Sequence, residues 1–252
     1  MTDVYVSTGA GPLVVEEQDD RVVVTLNRPE VRNAIDLATV DALHEVCALL
    51  EASPRPLLLT GSDGVFAAGA DIRQLRDRRR DEALAAINRR VFDRIAALPM
   101  PAVAAVNGPA LGGGAELAYA CDVRLASTGA MFGNPEPGLG IIAAAGAAYR
   151  LPALIGASAA KAVLLAGRVL DAEAAFRLGL VTEVTDPDEL MARAHAIVDR
   201  MGRQSALALR ITKLVVDSPG AHPAADDLAQ AILFETADKE KRMTAFLEGK
   251  NR

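Results

Sequence analysis

Short runs of consecutive apolar residues alternate with segments whose apolar residues recur every three or four positions through the first two thirds of the chain. Three apolar runs, 22–26, 56–60 and 102–106, are bounded by turn-forming residues, which predicts buried strands. Asp36 precedes a segment of helical periodicity and can cap a helix there, and a charged helix is predicted over about 81–98. Strands that alternate with helices in this way predict an α/β fold with crossover connections.

The pattern changes at Asp186-Pro187, after which only helical periodicity is seen. The predicted helices lie at about 188–202, 204–217, 224–237 and 238–249. Their apolar stripes need a partner surface, which could be the core, another subunit or both. We therefore divide the chain into an α/β core, residues 1–185, and a helical C-terminal region, residues 186–252.

Composition narrows the class of protein. The chain has 252 residues, of which 51% are hydrophobic and 24% charged, as is typical of a soluble globular protein. Its net charge of −6 argues against nucleic acid as a general partner, although a local basic patch for a polyanionic small molecule is still allowed. Cys47 and Cys121 lie in separate elements and the histidines lack metal-ligand spacing, so we expect neither a disulfide framework nor a metal site.

The N-terminus lacks the features of a targeting segment. Residues 1–5 include no basic side chain, and no apolar stretch of the signal-peptide type follows. The longest apolar stretches, near 95–106 and 140–149, are too short or are broken by proline, so none is expected to span a bilayer. We therefore expect a cytoplasmic protein without a membrane partner.

The first candidate for chemistry is the run Gly112-Gly113-Gly114. The residues 115–120 that follow suit a helix, so the glycines are predicted to form its first turn. Glycines have no Cβ, so the backbone can approach a ligand closely, and the free N–H groups of a first helical turn favour developing negative charge. Glu116 lies three residues beyond Gly113, close to one helical turn, so its carboxylate and that amide can face the same side.

Two further segments are candidates for the same site, because each places a carboxylate or exposed backbone in a loop. Glu136 stands between Pro135 and Pro137, which predicts a carboxylate held in a stiff, extended loop. The small residues of 66–72 follow the second strand and again expose the backbone, and Asp71 can cap a helix there. Each segment alone is as typical of a structural turn as of a site, but the three together indicate a site.

Together these segments resemble the crotonase family, the enoyl-CoA hydratase/isomerase superfamily. The resemblance covers nearly the whole chain and is carried by Leu26-Asn27-Arg28-Pro29, Ala67-Ala68-Gly69-Ala70-Asp71-Ile72, Asn107-Gly108-Pro109-Ala110-Leu111-Gly112-Gly113-Gly114-Ala115-Glu116, Pro135-Glu136 and Gly179-Leu180-Val181. It implies a spiral core of repeated ββα turns, a helical trimerisation region, and a homotrimer or dimer of trimers.

The resemblance also implies the chemistry. The backbone N–H groups of Ala70 and Gly113 match the family's oxyanion hole, which stabilises negative charge on the oxygen of a CoA thioester. Glu116 matches the group that binds and activates water, and Glu136 matches the group that delivers a proton to Cα. The expected activity is hydration of an enoyl-CoA, with the CoA thioester as substrate and no prosthetic group.

For the CoA moiety, the resemblance implies a site along the same loop. Ala68, Ala70 and Ile72 match positions around the adenine, and Gly113 is counted with them because its amide faces the thioester. Arg73 matches a basic residue near the CoA phosphates. The other arginines that follow Arg73 fit a solvated helix face, and we leave them outside the site.

One stretch departs from the family pattern. Where many hydratases have a proline and a glycine-rich turn, this chain has Ala143, Ala144 and Ala147, and Tyr149 stands in place of a glutamine. The Ala144 N–H can still face the catalytic water, but the added methyl groups narrow the space beside it. A reshaped acyl pocket is the expectation, and loss of hydratase activity is the alternative.

Other functions stay open. In a Δ3,Δ2-enoyl-CoA isomerase Glu136 alone would move a proton between carbons, and a non-catalytic homologue would only bind acyl-CoA. Retention of both carboxylates favours hydration. A dinucleotide-dependent dehydrogenase is disfavoured, because the G-x-G-x-x-A match at 138–143 has neither an entering strand nor an acidic residue about 20 positions further on.

Overall fold

The computed structural model describes residues 5–6, 11–218, 220 and 222–248. The strands are β1 Tyr5–Val6, β2 Leu13–Glu17, β3 Val22–Leu26, β4 Leu57–Gly61, β5 Ala102–Val106, β6 Pro109–Leu111, β7 Val123–Ser127, β8 Met131–Gly133, β9 Leu170–Asp171 and β10 Glu183–Thr185. The helices are α1 Leu37–Ala52, α2 Ile72–Asp77, α3 Arg80–Ala85, α4 Ile87–Ala96, α5 Gly113–Ala120, α6 Ala147–Ile155, α7 Ala157–Leu164, α8 Ala172–Arg177, α9 Leu190–Gly202, α10 Ala206–Val216, α11 Ala224–Phe234 and α12 Ala237–Leu247.

Two sheets organise the core. The larger has the strand order β1-β2-β3-β4-β5-β7-β10, antiparallel from β1 to β3 and parallel from β3 to β10. The smaller has the order β6-β8-β9. Strands β4 and β5 are buried along their whole length, as expected of parallel strands covered on both faces. The predicted α/β fold is confirmed.

Alternate residues of each central strand face opposite layers of helices. Leu57 and Leu59 of β4 pack in the main core with α1, α4 and α5, whereas Leu58 faces a second cluster formed with α9. Helix α9 contributes Leu190 and Ile197 to that second cluster. The first helix of the predicted C-terminal region therefore lies on the sheet, and the division of the chain at residue 185 stays a prediction.

The predicted elements agree with most of the structure. The strands 22–26 and 102–106 have the predicted bounds, and β4 begins one residue later than predicted. The cap of α1 is confirmed, because the Asp36 carboxylate accepts a hydrogen bond from the backbone N–H of Thr39 at 2.8 Å. No helix of the described residues is both long and apolar enough to cross a membrane. Residues 1–4, on which the expectation of no targeting segment partly rests, lie outside the described residues.

The single charged helix predicted over 81–98 is wrong. The structure has two helices, α3 and α4, separated at Ala86, whose φ of 51° is left-handed and ends the first helix. Helix α4 buries Val91, Phe92 and Ile95, whereas α3 buries no residue. Core packing therefore fixes only α4, and α3 need not continue it as one straight helix.

Helices α10, α11 and α12 have no buried residues. Large apolar side chains on them are exposed, including Leu214 at 66%, Leu228 at 68% and Leu247 at 85%. In the described part of the chain, an ion pair between Lys213 of α10 and Asp122, just before β7, joins this region to the core. The exposed apolar faces are consistent with a partner surface, and the predicted trimer stays a prediction.

Candidate active site

The loop 66–71 carries the first group of the site. Its backbone forms a parallel bridge with Ile35, in which the Ile35 N–H donates to Gly69 O at 2.8 Å and the Asp71 N–H donates to Ile35 O at 2.9 Å. Because the two flanking residues make these bonds, the N–H of Ala70 points away from Ile35. It points toward the side on which α5 begins.

The same loop is held on its other side by the segment before α5. The Ala67 N–H donates to Pro109 O at 3.1 Å, and the Leu111 N–H donates to Ala67 O at 3.0 Å. A Cβ on Gly114 would lie 2.2 Å from the Ala67 carbonyl oxygen, a distance that only glycine avoids. Glycine at this position therefore allows α5 to pack directly on the loop.

The start of α5 brings a second amide to Ala70. Helix α5 begins at Gly113, so Gly113 and Gly114 lie in its first turn, where the glycines were predicted, and Gly112 precedes it with φ 50°. A Cβ built on Gly113 would lie 3.3 Å from the Ala70 nitrogen, so the two residues are in contact. Among the described residues, neither N–H donates to a backbone carbonyl. Two neighbouring amides are thus free to bind one ligand oxygen at the positive end of a helix.

Glu116 lies in the first turn of α5 and is 3% exposed. Its Oε1 accepts hydrogen bonds from the backbone N–H groups of Ala145, at 2.8 Å, and Ala147, at 3.0 Å. Ala147 is the first residue of α6, so the carboxylate also meets the positive end of that helix. Burial raises the pKa of Glu116 to about 7, the negative charge of Glu136 adds to the rise, and the two amide hydrogen bonds oppose it.

Glu136 was predicted in an extended loop, and this is wrong, because it begins a 3-10 turn, Glu136–Leu139. Pro137 fixes its own φ near the helical value, which suits the second position of such a turn. The carboxylate lies against α5, since a Cβ on Gly112 would be 3.0 Å from Glu136 Oε1. Glu136 is 7% exposed, and its Oε2 has no hydrogen-bond partner in the described part of the chain. Burial raises the pKa of Glu136.

The two carboxyl groups can therefore divide acid and base roles. Both are buried, and the charge of Glu136 raises the pKa of Glu116. Like charges in one buried site disfavour double ionisation, so ionisation of one carboxyl group opposes ionisation of the other. One ionised and one protonated carboxyl, next to two free amides, form a site that can move protons while an oxyanion is stabilised.

Sequence reasoning missed residues that hold the site together. Asn33 is 2% exposed, and its amide donates to Ser62 O at 3.1 Å and Val65 O at 2.7 Å, which orients the start of the 66–71 loop. The amides that bind Glu116 belong to Ala145 and Ala147, whereas the sequence drew attention to Ala144. Asn33 lies in the turn after β3, where its Oδ1 accepts from the Arg28 N–H at 2.9 Å, but the carbonyls to which it donates lie about 30 residues away, and no local signal shows them.

The predicted CoA-binding residues lie just beyond the loop. Ala68 is half-buried, Ile72 is 56% exposed, and Arg73 is exposed in the first turn of α2. The Asp71 carboxylate caps this helix by accepting from the Arg73 N–H at 3.0 Å. The Arg73 guanidinium forms no ion pair within the described residues, so its charge is available to an anion.

An α/β fold that places two free amides beside a pair of buried carboxyl groups is the fold of an enzyme that stabilises an oxyanion during proton transfer. Comparison with known proteins shows to which enzyme family the chain belongs. Residues 16–252 match the family described as enoyl-CoA hydratase/isomerase. This chain belongs to that family, which confirms the resemblance seen in the sequence.

Relatives and solved structures agree. The chain is 38% identical over 247 residues to the crotonyl-CoA hydratase of Syntrophomonas wolfei subsp. wolfei, covering 94% of this chain and 95% of that protein. It is 35% identical over 250 residues to the short-chain-enoyl-CoA hydratase of Clostridium acetobutylicum, covering 94% of each. The crystal structure of enoyl-CoA hydratase from Bacillus anthracis superposes with a TM-score of 0.90 at 30% identity, covering 95% of this chain and 97% of that one.

Proposed function

We propose that this chain is an enoyl-CoA hydratase that adds water across the 2,3 double bond of a trans-2-enoyl-CoA. The observation that carries this proposal is the pair of buried carboxyl groups, Glu116 and Glu136, next to the free amides of Ala70 and Gly113. The similarity to proteins named crotonyl-CoA hydratase and short-chain-enoyl-CoA hydratase supports the same reaction.

In this proposal the thioester oxygen binds to the N–H groups of Ala70 and Gly113. Attack at C3 pushes the electrons of the double bond toward the thioester, and the enolate oxygen gains negative charge between the two donors. Each donor of this kind contributes roughly 10²–10³ in rate, because it is already oriented toward the developing charge. The N-terminus of α5 adds its positive end to the same oxygen.

The two carboxyl groups carry the proton transfers. Ionised Glu116 takes a proton from water as the water oxygen bonds to C3. Protonated Glu136 gives its proton to C2, which completes the addition of water. The proton that Glu116 took then passes to Glu136, which restores ionised Glu116 and protonated Glu136 for the next turnover. A pKa of about 7 for Glu116 suits a base that works near neutral pH.

The CoA moiety and the assembly belong to the same proposal. Ala68 and Ile72 would contact the adenine end, and the unpaired guanidinium of Arg73 would bind a phosphate. The substrate is a CoA thioester, and no prosthetic group takes part in the reaction. The C-terminal helices α10 to α12 would form a homotrimer or a dimer of trimers through their exposed apolar faces in the cytoplasm.

Loss of enoyl-thioester absorbance with crotonyl-CoA and with a medium-chain trans-2-enoyl-CoA tests the reaction. Glu116→Gln and Glu136→Gln should each lower turnover by roughly 10²–10⁴ while CoA-ester binding is retained. Glu173→Gln is the matched control, because Glu173 is an exposed residue of α8. Near-native turnover in either site variant would show that the role given to that residue is wrong.

The same variants separate the two alternatives. An isomerase would create conjugated thioester from a 3-enoyl-CoA and would keep this activity in Glu116→Gln, since Glu136 alone would move the proton. A binding protein would titrate acyl-CoA without turnover of either substrate. Hydration that depends on both carboxyl groups excludes both alternatives.

A further inference from the structure

The two amides that bind Glu116 lie in a short loop, residues 143–147, which we call the carboxylate loop. Ala145 and Ala147 supply the amides, and Gly146 lies between them with φ 135°, a conformation that side chains rarely adopt. Three of the four alanine and tyrosine departures from the family pattern lie in this loop. Its position therefore decides whether Glu116 is held correctly.

A cluster of three side chains holds this loop from its outer side. The Arg150 guanidinium forms an ion pair with Asp93 Oδ1 of α4 at 2.7 Å, and the Tyr149 hydroxyl donates to the same oxygen. The guanidinium carbon also lies 4.8 Å from the centre of the Tyr149 ring, within the range of a cation–π contact. We call Asp93, Tyr149 and Arg150 the clamp.

The clamp contacts the carboxylate loop directly. The Arg150 Nη1 donates to Ala145 O at 3.4 Å, a long hydrogen bond on the peptide chain that presents the amides to Glu116. A Cβ on Gly146 would lie 2.1 Å from the same nitrogen, so the absence of a side chain there lets the guanidinium lie against the loop. The backbone N–H of Arg150 also donates to Gly146 O at 2.8 Å. The guanidinium and the backbone of Arg150 therefore both contact the carboxylate loop.

We propose that the clamp positions the carboxylate loop, and that Arg150 is the positioning residue through which Glu116 is oriented. Arg150 is not a catalytic residue, since its contacts are with the loop and with Asp93. The expected effect of Arg150 on turnover rests on the proposed hydratase function, whereas the structural coupling between Arg150 and Glu116 does not.

The positive charge of Arg150 also supports its role as the positioning residue for Glu116. The charged groups that act on Glu116 are Glu136 from the 3-10 turn and Arg150 from α6, and the charge of Glu116 in turn raises the pKa of Tyr119 of α5. Arg150 is the cation of this set, and its charge lowers the pKa of Glu116 against the effects of burial and Glu136. Replacing Arg150 should therefore raise the pKa of Glu116 for two reasons: its positive charge is lost, and the amide hydrogen bonds to Glu116 are weakened.

Arg150→Met tests the proposal. We expect kcat to fall about 10²-fold, because a small displacement of a positioned group is enough for such a loss, while KM for crotonyl-CoA changes little. The acidic limb of the kcat/KM profile should move to higher pH by roughly one unit. Tyr149→Phe should shift the limb in the same direction by less. Arg150→Lys, which keeps the charge, should recover part of the shift.

Arg89→Met is the matched control. Arg89 binds the other oxygen of Asp93 at 2.9 Å from the exposed face of α4, and within the described part of the chain its side chain forms no hydrogen bond to the carboxylate loop. Its removal should leave kcat and the acidic limb unchanged. If Arg150→Met loses thermal stability but keeps the native pH profile, Arg150 is only structural and the proposal is overturned.

A double-mutant cycle in unfolding stability does not require turnover. At pH 8 Arg150→Met should lower the urea midpoint in the native background and should do so much less in the Glu116→Gln background, because the ionised carboxylate is then absent. Additive effects would overturn the proposal. Coupling without turnover of any enoyl-CoA by the native chain would support the clamp and refute the proposed function.

Discussion

Replacing Glu116 by Gln should inactivate the enzyme and at the same time stabilise it above neutral pH. The amide has nearly the same shape, and its Oε1 can still accept the two loop N–H groups, but it carries no charge at any pH. In the native protein the pKa of Glu116 is raised from 4.5 to about 7, chiefly by burial. A raised folded-state pKa contributes stability that is present below the unfolded value and lost as pH rises through the folded value.

The magnitude follows from these two pKa values. A rise from 4.5 to about 7 corresponds to roughly 3 kcal/mol of stability lost by the native protein at pH 8. Part of this loss has already occurred at pH 5, so the difference between pH 5 and pH 8 is about 2 to 3 kcal/mol. Glu116→Gln removes this loss. The difference in free energy of unfolding between the variant and the native protein should therefore be about 2 to 3 kcal/mol larger at pH 8 than at pH 5.

Urea unfolding followed by circular dichroism at pH 5 and pH 8 measures this difference. Glu173→Gln, on the exposed face of α8, controls for the substitution itself and should show the native pH dependence. If Glu116→Gln also shows the native pH dependence, Glu116 does not carry the raised pKa, and the proton-sharing argument for the site is refuted.

Three further predictions concern the surroundings of the site. Gly114→Ala should cost about 1–3 kcal/mol and lower turnover, because its Cβ would lie 2.2 Å from the Ala67 oxygen and force α5 away from the 66–71 loop. Lys213→Met should lower the free energy of unfolding by about 2 kcal/mol, which is less than the loss for a fully buried ion pair, because the Asp122 side chain is 24% exposed. Urea unfolding at pH 8 measures the loss of stability in Gly114→Ala and in Lys213→Met. The kcat/KM of the native enzyme should rise with pH through about 7, the pKa of Glu116, as this base ionises; a pH–rate profile with crotonyl-CoA measures it.

Matched variants decide these predictions. Gly202→Ala is the control for Gly114→Ala, since an added Cβ there meets nothing within 4 Å. Lys161→Met removes an exposed lysine of α7 and controls for the loss of one cation. Equal effects of a variant and its control, or a flat pH–rate profile below pH 7, would contradict the corresponding prediction.

Local chemistry explains the parts of the fold and site that the sequence predicted. Consecutive apolar residues marked 22–26 and 102–106 as buried strands, and the Asp36 cap was recognisable because its bond spans three residues. The glycines in the first turn of α5 were predictable from the glycine run and the helix-forming residues after it. The family was recognisable because several such motifs occur in a fixed order along the chain.

Only the tertiary structure decided how these motifs act together. The amides on Glu116 come from 29 and 31 residues further along the chain, and Asp93 and Arg150 are 57 apart. The burial that raises the pKa of Glu116 likewise comes from packing between distant elements. Sequence alone determined which residues could cap, turn or be buried, because those preferences are local. The coupling of the two carboxyl groups, the free amides and the clamp depend on distances between elements, which only packing of the folded chain sets.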